Sequence, residues 1–400
     1  MRRDLISPGL AILYFAFFLA CIAIAVYWLP RVAPVSSDGA FDAFGYAEAV
    51  VHGDWTILET QPFLNPYFFV REWIAPEFFA PLLHFALMLP ALLLLVRYGR
   101  EFVVPVIAAL AFPEFLLFLG GTSKEGLAIA GMVWVILAFA IYRTGIRTGA
   151  LTSFLVAGFI FELSRPFFWV LPLGALIVAF FLIASKKTKL LIIAMCIMAA
   201  PLAYLSGDFS SIASAVTEQI DAGIEFLTWF EANMSSDSAI KDYVRKALSL
   251  GLVESDWKIA FFAPFLILAK AALYTFAIPL ISPQPYEYSM AFAWAFLWQI
   301  AVSLTSLFVL YFCVKHLPRK LREGTKEERL MILFALFFAM AIAASTLIFH
   351  VRYRAPAEFL LVVLALQTIR FSAAPVFTVG VANAASIGLA CILFLPPILF

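Results

Sequence analysis

Charged residues are scarce in this sequence: only 13% of its 400 residues are Asp, Glu, Lys or Arg, whereas 64% are hydrophobic. This composition excludes an ordinary soluble domain, in which about a quarter of the residues are charged. The net charge of +1 gives no indication of a nucleic-acid partner, and we expect none. The sequence therefore predicts a protein that crosses a membrane several times.

Cysteine is also rare, and the usual cofactor motifs are missing. The four cysteines, Cys21, Cys196, Cys313 and Cys391, all lie inside apolar runs, where they act as small hydrophobic residues rather than as disulfide partners or metal ligands. Zinc-ligand spacings, a P-loop and a dinucleotide-binding glycine pattern do not occur. No paired carboxylates form a recognisable metal cage, so we expect neither a metal nor another cofactor.

Long apolar runs fill most of the chain, and each has about the 20 residues that a membrane-crossing helix needs. We predict an all-α fold: one membrane domain over residues 1–400, built as a bundle of about eleven spans. The first run has no small-residue cleavage site, which indicates a retained span rather than a signal peptide. The predicted spans cover residues 9–29, 77–97, 101–119, 125–142, two helices within 146–184, and 190–206, 292–314, 330–349, 355–370 and 375–397.

Three segments between the spans differ from ordinary loops. Residues 30–76 form a polar and aromatic first outer loop. Residues 207–258 carry apolar side chains at helical spacing, which predicts amphipathic helices on the outer membrane surface. Residues 259–285 contain Lys270 and end in a proline-rich stretch, and the topology requires them to enter and leave from one side, which predicts a re-entrant element.

Basic and acidic residues separate onto opposite sides of this predicted topology. The most basic loop, Lys315 to Arg329, is assigned to the cytoplasm because short cytoplasmic loops are rich in Lys and Arg. The acidic loops then face outward. We therefore predict a multi-pass protein of the bacterial cytoplasmic membrane whose functional side faces the periplasm.

Every charged motif that interrupts an apolar run falls on the outer side. The motifs are the Asp38/Asp42 loop, the Lys124-Glu125 pair, the turn Glu162-Leu-Ser-Arg165, and the stretch His350-Val-Arg352-Tyr353-Arg354 with Glu358 after it. Ionisable residues at a membrane boundary are expensive, so such motifs indicate either interfacial anchors or a binding site. Lysine and arginine suit a pyrophosphate, and carboxylates suit proton transfer.

The same residues carry a resemblance to a known family. Asp38-Gly-Ala-Phe-Asp42-Ala-Phe-Gly-Tyr46 resembles the acidic first outer loop of GT-C membrane glycosyltransferases. Three further motifs are similar to those of Wzy-type exopolysaccharide and O-antigen polymerases and related GT-C enzymes. They are Thr-Ser-Lys124-Glu125 after a helix with Pro113, Ile278-Pro-Leu-Ile-Ser-Pro-Gln-Pro285 before a span, and Arg352-Tyr-Arg-Ala-Pro356.

This resemblance implies transfer of a glycan from a polyprenyl-pyrophosphate carrier to a lipid-linked acceptor, with membrane lipid and polysaccharide export or chain-length proteins as expected partners. Asp42 is the first candidate for the base, followed by Asp38 or Glu125. The other candidates bind substrate. Lys124, Arg165, Arg352 and Arg354 would hold the pyrophosphate, while Glu162, His350 and Tyr353 would contact or orient a substrate.

Several alternatives remain open from the sequence. The chain could transfer a single sugar from a polyprenyl phosphate, or move lipid-linked oligosaccharides as a flippase, although transporters usually contain paired repeats that are missing here. Asp38 and Asp42 could cap a surface helix, and Lys124-Glu125 or Glu162-Arg165 could be structural ion pairs. His52, His84 and His316 look incidental, whereas Trp55, Phe63, Tyr67 and Trp73 could stack on sugar rings.

Overall fold

The computed structural model describes residues 8–23, 64–70, 72–74, 78–110, 112–121, 123–165, 168–184, 189, 305, 308–309, 311–345 and 351–369. Every named element in these residues is an α-helix, which confirms the all-α class. The helices are α1 Pro8–Ala23, α2 Asn65–Val70, α3 Phe79–Tyr98, α4 Arg100–Ala109, α5 Pro113–Gly120, α6 Lys124–Arg143, α7 Arg147–Ser164, α8 Val170–Ile183, α9 Leu317–Glu323, α10 Lys326–Ser345 and α11 Val351–Ile369.

Two of these helices, α3 and α6, are long and apolar enough to cross a membrane, and the bent pair α4 and α5 would make a third span if counted as one. The described part of the chain is therefore that of a membrane protein. The run 146–184 forms two helices as predicted, α7 and α8. The segments 190–206, 207–258, 259–285 and 375–397, with most of 30–76 and 292–314, lie outside the described residues, and the count of eleven spans stays a prediction.

The run 101–119, which was predicted as one span, is broken into two helices. Helix α4 ends at Ala109 and α5 begins at Pro113, and the two axes are bent by 82°. Proline has no backbone N–H and disfavours the helical conformation of the residue before it, here Phe112. A bend of this kind is expected inside a membrane only where surrounding protein or a wet cavity covers the backbone.

Helix α6 is the centre of the bundle. It is buried along almost its whole length and contacts α3, α5, α7 and α11. Small residues make this close packing possible, as in many membrane bundles. Gly131, for example, lies against the ring of Phe161 from α7, where even a methyl group would be in tight contact. The turn between α6 and α7 contains Gly145 at a φ of 86°, a conformation that favours glycine.

The two ends of α6, which we call the Lys124 end and the Arg143 end of the bundle, are about 30 Å apart at 1.5 Å per residue. At the Arg143 end, Arg143 pairs with Glu101 of α4, and it lines a cavity together with Lys320 and Thr368. The α3–α4 loop, the α6–α7 loop and the basic loop Lys315 to Arg329, which the predicted topology places on one side of the membrane, thus meet at this end of the bundle.

Helix α11 runs in the same direction as α6. Its C-terminal residues Leu364, Gln367 and Thr368 line the cavity at the Arg143 end, so its first turn points toward the Lys124 end. The stretch Arg352-Tyr353-Arg354, which was expected between two spans, lies in that first turn because α11 already begins at Val351.

Candidate functional site

The site is built on the N-terminus of α6, which a serine caps. The Oγ of Ser123 accepts a hydrogen bond from the backbone N–H of Gly126 at 2.9 Å and donates one to the carbonyl of Phe118 at 2.8 Å. The first bond satisfies one of the N–H groups left over at a helix start, and the second joins the end of α5 to the start of α6. The cap fixes where the next two residues, Lys124 and Glu125, leave the backbone.

Glu125 forms an ion pair with Arg165, which follows α7. The guanidinium Nη2 lies 2.7 Å from the carboxylate Oε1, and the bond joins residues 40 positions apart. The Glu125 side chain is 7% exposed, whereas that of Arg165 is 24% exposed. The carboxylate thus lies beneath the cation, and the cation is the member that a ligand can reach.

Arg165 has a second support in the aromatic ring of Phe168, whose centroid lies 5.8 Å from its guanidinium carbon. Such a cation–π contact restrains the side chain further. Lys124, the residue before Glu125 in the first turn of α6, is half-buried. The Arg165 guanidinium is thus a partly exposed cation above a buried counter-charge, which is suited to binding an anion.

A buried hydrogen-bond network lies behind the cap. The hydroxyl of Tyr67 on α2 is 2.6 Å from Nε2 of His84 on α3, and 3.3 Å from the carbonyl of Ser123. The other ring nitrogen of His84, Nδ1, is 3.0 Å from the carbonyl of Leu119. Tyr67 and His84 are both fully buried. The interpretation of His84 as incidental did not foresee this structural place: its burial and both ring contacts put it at the junction of α2, α3 and α5.

The phenol of Tyr67 stays protonated in this setting. Burial raises its pKa well above the ordinary value of 10, and the nearby charge of Glu125 raises the pKa further. Tyr67 is therefore a hydrogen-bond donor, and its contact with the carbonyl of Ser123 connects the network to the start of α6. Its ring is enclosed by protein, so the suggestion that Tyr67 stacks on a sugar was wrong.

Of the other aromatic residues proposed for sugar stacking, Trp73 is 81% exposed, which leaves its role a prediction. Trp55 and Phe63 lie outside the described residues. The third histidine, His316, lies away from the site beside α9 at the Arg143 end, and His52 lies outside the described residues.

Two buried carboxylates were not among the predicted site residues. Glu114 in the first turn of α5 is fully buried, and Glu358 on α11 is 2% exposed. The helices touch beside them, since the rings of Phe115 and Phe359 lie 5.1 Å apart. Glu358 was noticed only as part of its charged stretch. Glu114 sits inside the apolar run 101–119, directly after Pro113 where α5 begins.

The predicted site residues divide into three groups. Glu125 and Arg165 are brought into contact, Lys124 precedes Glu125 on the first turn of α6, and Glu162 is exposed on α7 one turn before Arg165. The backbone of Arg352, Tyr353 and Arg354 lies in the first turn of α11, and their side chains are outside the described part. Asp38, Asp42 and His350 also lie outside the described residues.

No group of three or more His, Cys, Asp or Glu side chains that could hold a metal ion occurs within the described ranges. No family model, no curated protein and no solved structure matches this chain.

Proposed function

We propose that this chain is a membrane glycosyltransferase that polymerises polysaccharide repeat units. It would pass a glycan from a polyprenyl-pyrophosphate carrier to a lipid-linked acceptor at the periplasmic face of the bacterial cytoplasmic membrane. The observation that carries the proposal is the Glu125–Arg165 pair, 2.7 Å apart at one end of an apolar helical bundle. Charges in such a bundle are costly and are kept mainly where they bind or transport something.

The exposed face of the pair has the chemistry that a lipid-linked phosphate needs. Arg165 presents the accessible part of a guanidinium whose planar fork of donors matches phosphate oxygens. Lys124 lies in the first turn of α6, where the helix dipole also favours a negative ligand. A carrier whose chain lies in the bilayer would bring its headgroup to this depth.

The first turn of α11 supplies the rest of the proposed clamp. Arg352 and Arg354 lie in that turn, and α11 points in the same direction as α6. A pyrophosphate leaving group develops charge as its bond to the sugar breaks, and it needs several cations to stabilise that charge. Four cations on the same side of the bundle support a pyrophosphate donor over a monophosphate one.

The proposed reaction needs a base as well as a clamp. The base takes the proton from the acceptor hydroxyl, whose oxygen attacks the anomeric carbon. The bond from that carbon to the pyrophosphate oxygen breaks, and the leaving group keeps the electron pair. Glu125 already accepts a bond from Arg165 and is 7% exposed, so an acceptor can barely reach it. We therefore assign Glu125 to holding Arg165 in place, and keep Asp42, then Asp38, as the proposed base.

Deletion of the gene tests the function directly. A polymerase mutant accumulates one complete repeat unit on its lipid carrier at the outer face and makes no polymer. An incomplete unit on the carrier would instead indicate a single-sugar transferase, and complete units trapped at the inner face would indicate a flippase. Restoration by the wild-type chain, but not by Arg165→Ala, would tie the defect to the cationic site.

A further inference from the structure

The inference concerns the buried pair Tyr67 and His84, which no part of the proposed reaction uses. A carbonyl oxygen can only accept, so the 3.0 Å contact with Leu119 requires that Nδ1 of His84 carries a hydrogen. In the neutral ring Nε2 is then an acceptor, and it receives the hydroxyl hydrogen of Tyr67 over 2.6 Å. The contact from Tyr67 to the carbonyl of Ser123 is longer, at 3.3 Å. It is the weaker of the two, because the phenol has only one hydrogen to donate and that hydrogen is directed to His84.

This hydrogen-bonded pair joins three separate segments of the chain. Tyr67 belongs to α2 in the predicted first outer loop, His84 belongs to α3, and Leu119 belongs to the last turn of α5. The bond to Leu119 also satisfies a carbonyl in the last turn of α5, where intrahelical partners run out. The fully buried imidazole of His84 thus joins α2 of the first outer loop, the spanning helix α3 and the α5–α6 turn.

The fit around His84 leaves no room at the start of α6. A Cβ added to Gly126 would overlap the His84 ring and lie 2.5 Å from the carbonyl of Phe118. Glu125 is the neighbouring residue, and Ser123 caps the same turn. A displacement of the imidazole would therefore be transmitted directly to the backbone that carries Lys124 and Glu125.

We propose that Tyr67 and His84 are positioning residues. They fix the position of the first turn of α6, which carries Lys124 and Glu125, relative to α2 of the first outer loop. The assignment of a ligand to that turn rests on the proposed function, whereas the mechanical role does not. The burial of both residues, their hydrogen bonds and the close approach of the His84 ring to Gly126 support it.

Conservative variants separate the two bonds of the imidazole. His84→Asn places an amide near the position of Nδ1 and keeps the bond to Leu119, whereas His84→Gln places it near Nε2 and keeps the bond to Tyr67. Tyr67→Phe removes only the hydroxyl. Tyr14→Phe is the control, because it removes a half-buried phenol that donates to the carbonyl of Phe85 over 2.7 Å between α1 and α3.

The first measurement is hydrogen exchange of the protein in lipid nanodiscs. It is monitored in the peptides that cover residues 64–70 and 118–128. For Tyr67→Phe and His84→Asn we expect exchange to rise about tenfold in both peptides, the factor that corresponds to one lost buried hydrogen bond. The double variant Tyr67→Phe with His84→Asn should show no further rise in exchange, since both changes remove the same Tyr67–His84 bond. His84→Gln should keep residues 64–70 protected, and Tyr14→Phe should change neither peptide.

Binding of undecaprenyl pyrophosphate to the same nanodiscs is the second measurement, with inorganic pyrophosphate and undecaprenol as comparison probes. Tyr67→Phe should weaken the binding of undecaprenyl pyrophosphate by about tenfold, in proportion to the lost protection from hydrogen exchange. Faster exchange confined to residues 64–70, or unchanged binding despite faster exchange at 118–128, would overturn the positioning role. If the wild-type chain binds none of the three probes, the proposed function is wrong, and the exchange data alone decide the role of Tyr67 and His84.

Discussion

Arg165 and Glu125 are the residues whose separate roles can be tested most sharply. Glu125→Gln removes the counter-charge beneath a guanidinium that is 24% exposed. We expect it to lower the free energy of unfolding by about 1–3 kcal/mol, less than the loss of a fully buried pair, because water screens the exposed part of Arg165. Arg165→Lys keeps the charge but not the planar fork. In free energy, it should therefore weaken the binding of undecaprenyl pyrophosphate more than it lowers the stability of the fold.

Thermal unfolding and probe binding, measured on the same nanodisc samples, would separate these effects. The exposed pair Arg319–Glu323 on α9 has the same 2.7 Å separation and is the matched control. Glu323→Gln should change neither quantity, since exposed ion pairs contribute little. Equal losses of stability and binding in Arg165→Lys would contradict a specific role in phosphate recognition.

At the scale of single residues, the sequence indicated the types of charge better than their partners. Glu125 and Arg165 stood out because a charge inside an apolar run is conspicuous, but their contact joins two helices and depends on how these pack. The sequence suggested, as alternatives to a binding site, only the local pairs Lys124 with Glu125 and Glu162 with Arg165. His84 and Glu114 could not be distinguished from incidental residues, because their importance comes from burial by helices distant in sequence.

The tight start of α6 gives a prediction at the scale of helices. Gly126→Ala must displace either the His84 ring or the end of α5, because the new methyl would lie 2.5 Å from the carbonyl of Phe118. We expect a loss of about 1–3 kcal/mol in unfolding free energy, the usual cost of overpacking a filled site. Thermal unfolding in detergent or nanodiscs measures it.

Gly174 on α8 is the matched control for this substitution. Nothing lies within 4 Å of a Cβ added there, so Gly174→Ala should be neutral or stabilising by up to about 1 kcal/mol, because alanine favours a helix more than glycine does. A tolerated Gly126→Ala would show that the α5–α6 turn can shift, and it would weaken the positioning role of His84 as well.

The helices themselves were largely predictable where apolar runs are long. The predicted spans 77–97 and 125–142 correspond to α3 Phe79–Tyr98 and α6 Lys124–Arg143 within two residues at each end. The break before Pro113 was missed, because a proline in an apolar run is compatible with either a kink or a bend. Pro90, for instance, lies inside α3 without ending it. Neighbouring helices decide between these outcomes, and a single run contains no information about them.

The arrangement of the whole bundle predicts which positions share a side of the membrane. Thr144 follows α6 at the Arg143 end and Arg322 lies on α9 beside Lys320, so both belong to one end, whereas Glu72 before α3 belongs to the other. Single cysteines at these exposed positions, in a background without the four native cysteines, should react with an impermeant maleimide accordingly. We expect Glu72→Cys to label in intact spheroplasts, and Thr144→Cys and Arg322→Cys only after lysis.

Two outcomes of the labelling would be informative in different ways. Reversed labelling of all three positions would leave the bundle intact but place the Lys124 end in the cytoplasm, which would contradict a periplasmic polymerase. Labelling of Thr144→Cys and Arg322→Cys from opposite sides would contradict the packing of α6, α9 and α11 at the Arg143 end.

The last prediction separates the base from the residues that hold the donor. Asp42→Asn keeps the size of the side chain and removes the proton acceptor, so it should leave binding of undecaprenyl pyrophosphate unchanged while slowing turnover at least about a hundredfold. Glu125→Gln should do the opposite: its Arg165 partner loses its support, binding weakens, and turnover at saturating donor falls much less. The assay uses purified variants and the lipid-linked repeat unit isolated from the deletion strain. If Asp42→Asn turns over normally and Glu125→Gln does not at saturating donor, the base is Glu125, and Arg165 serves to keep that carboxylate in place. If neither substitution slows turnover, neither Asp42 nor Glu125 is the base, and of the carboxylates proposed here only Asp38 is left.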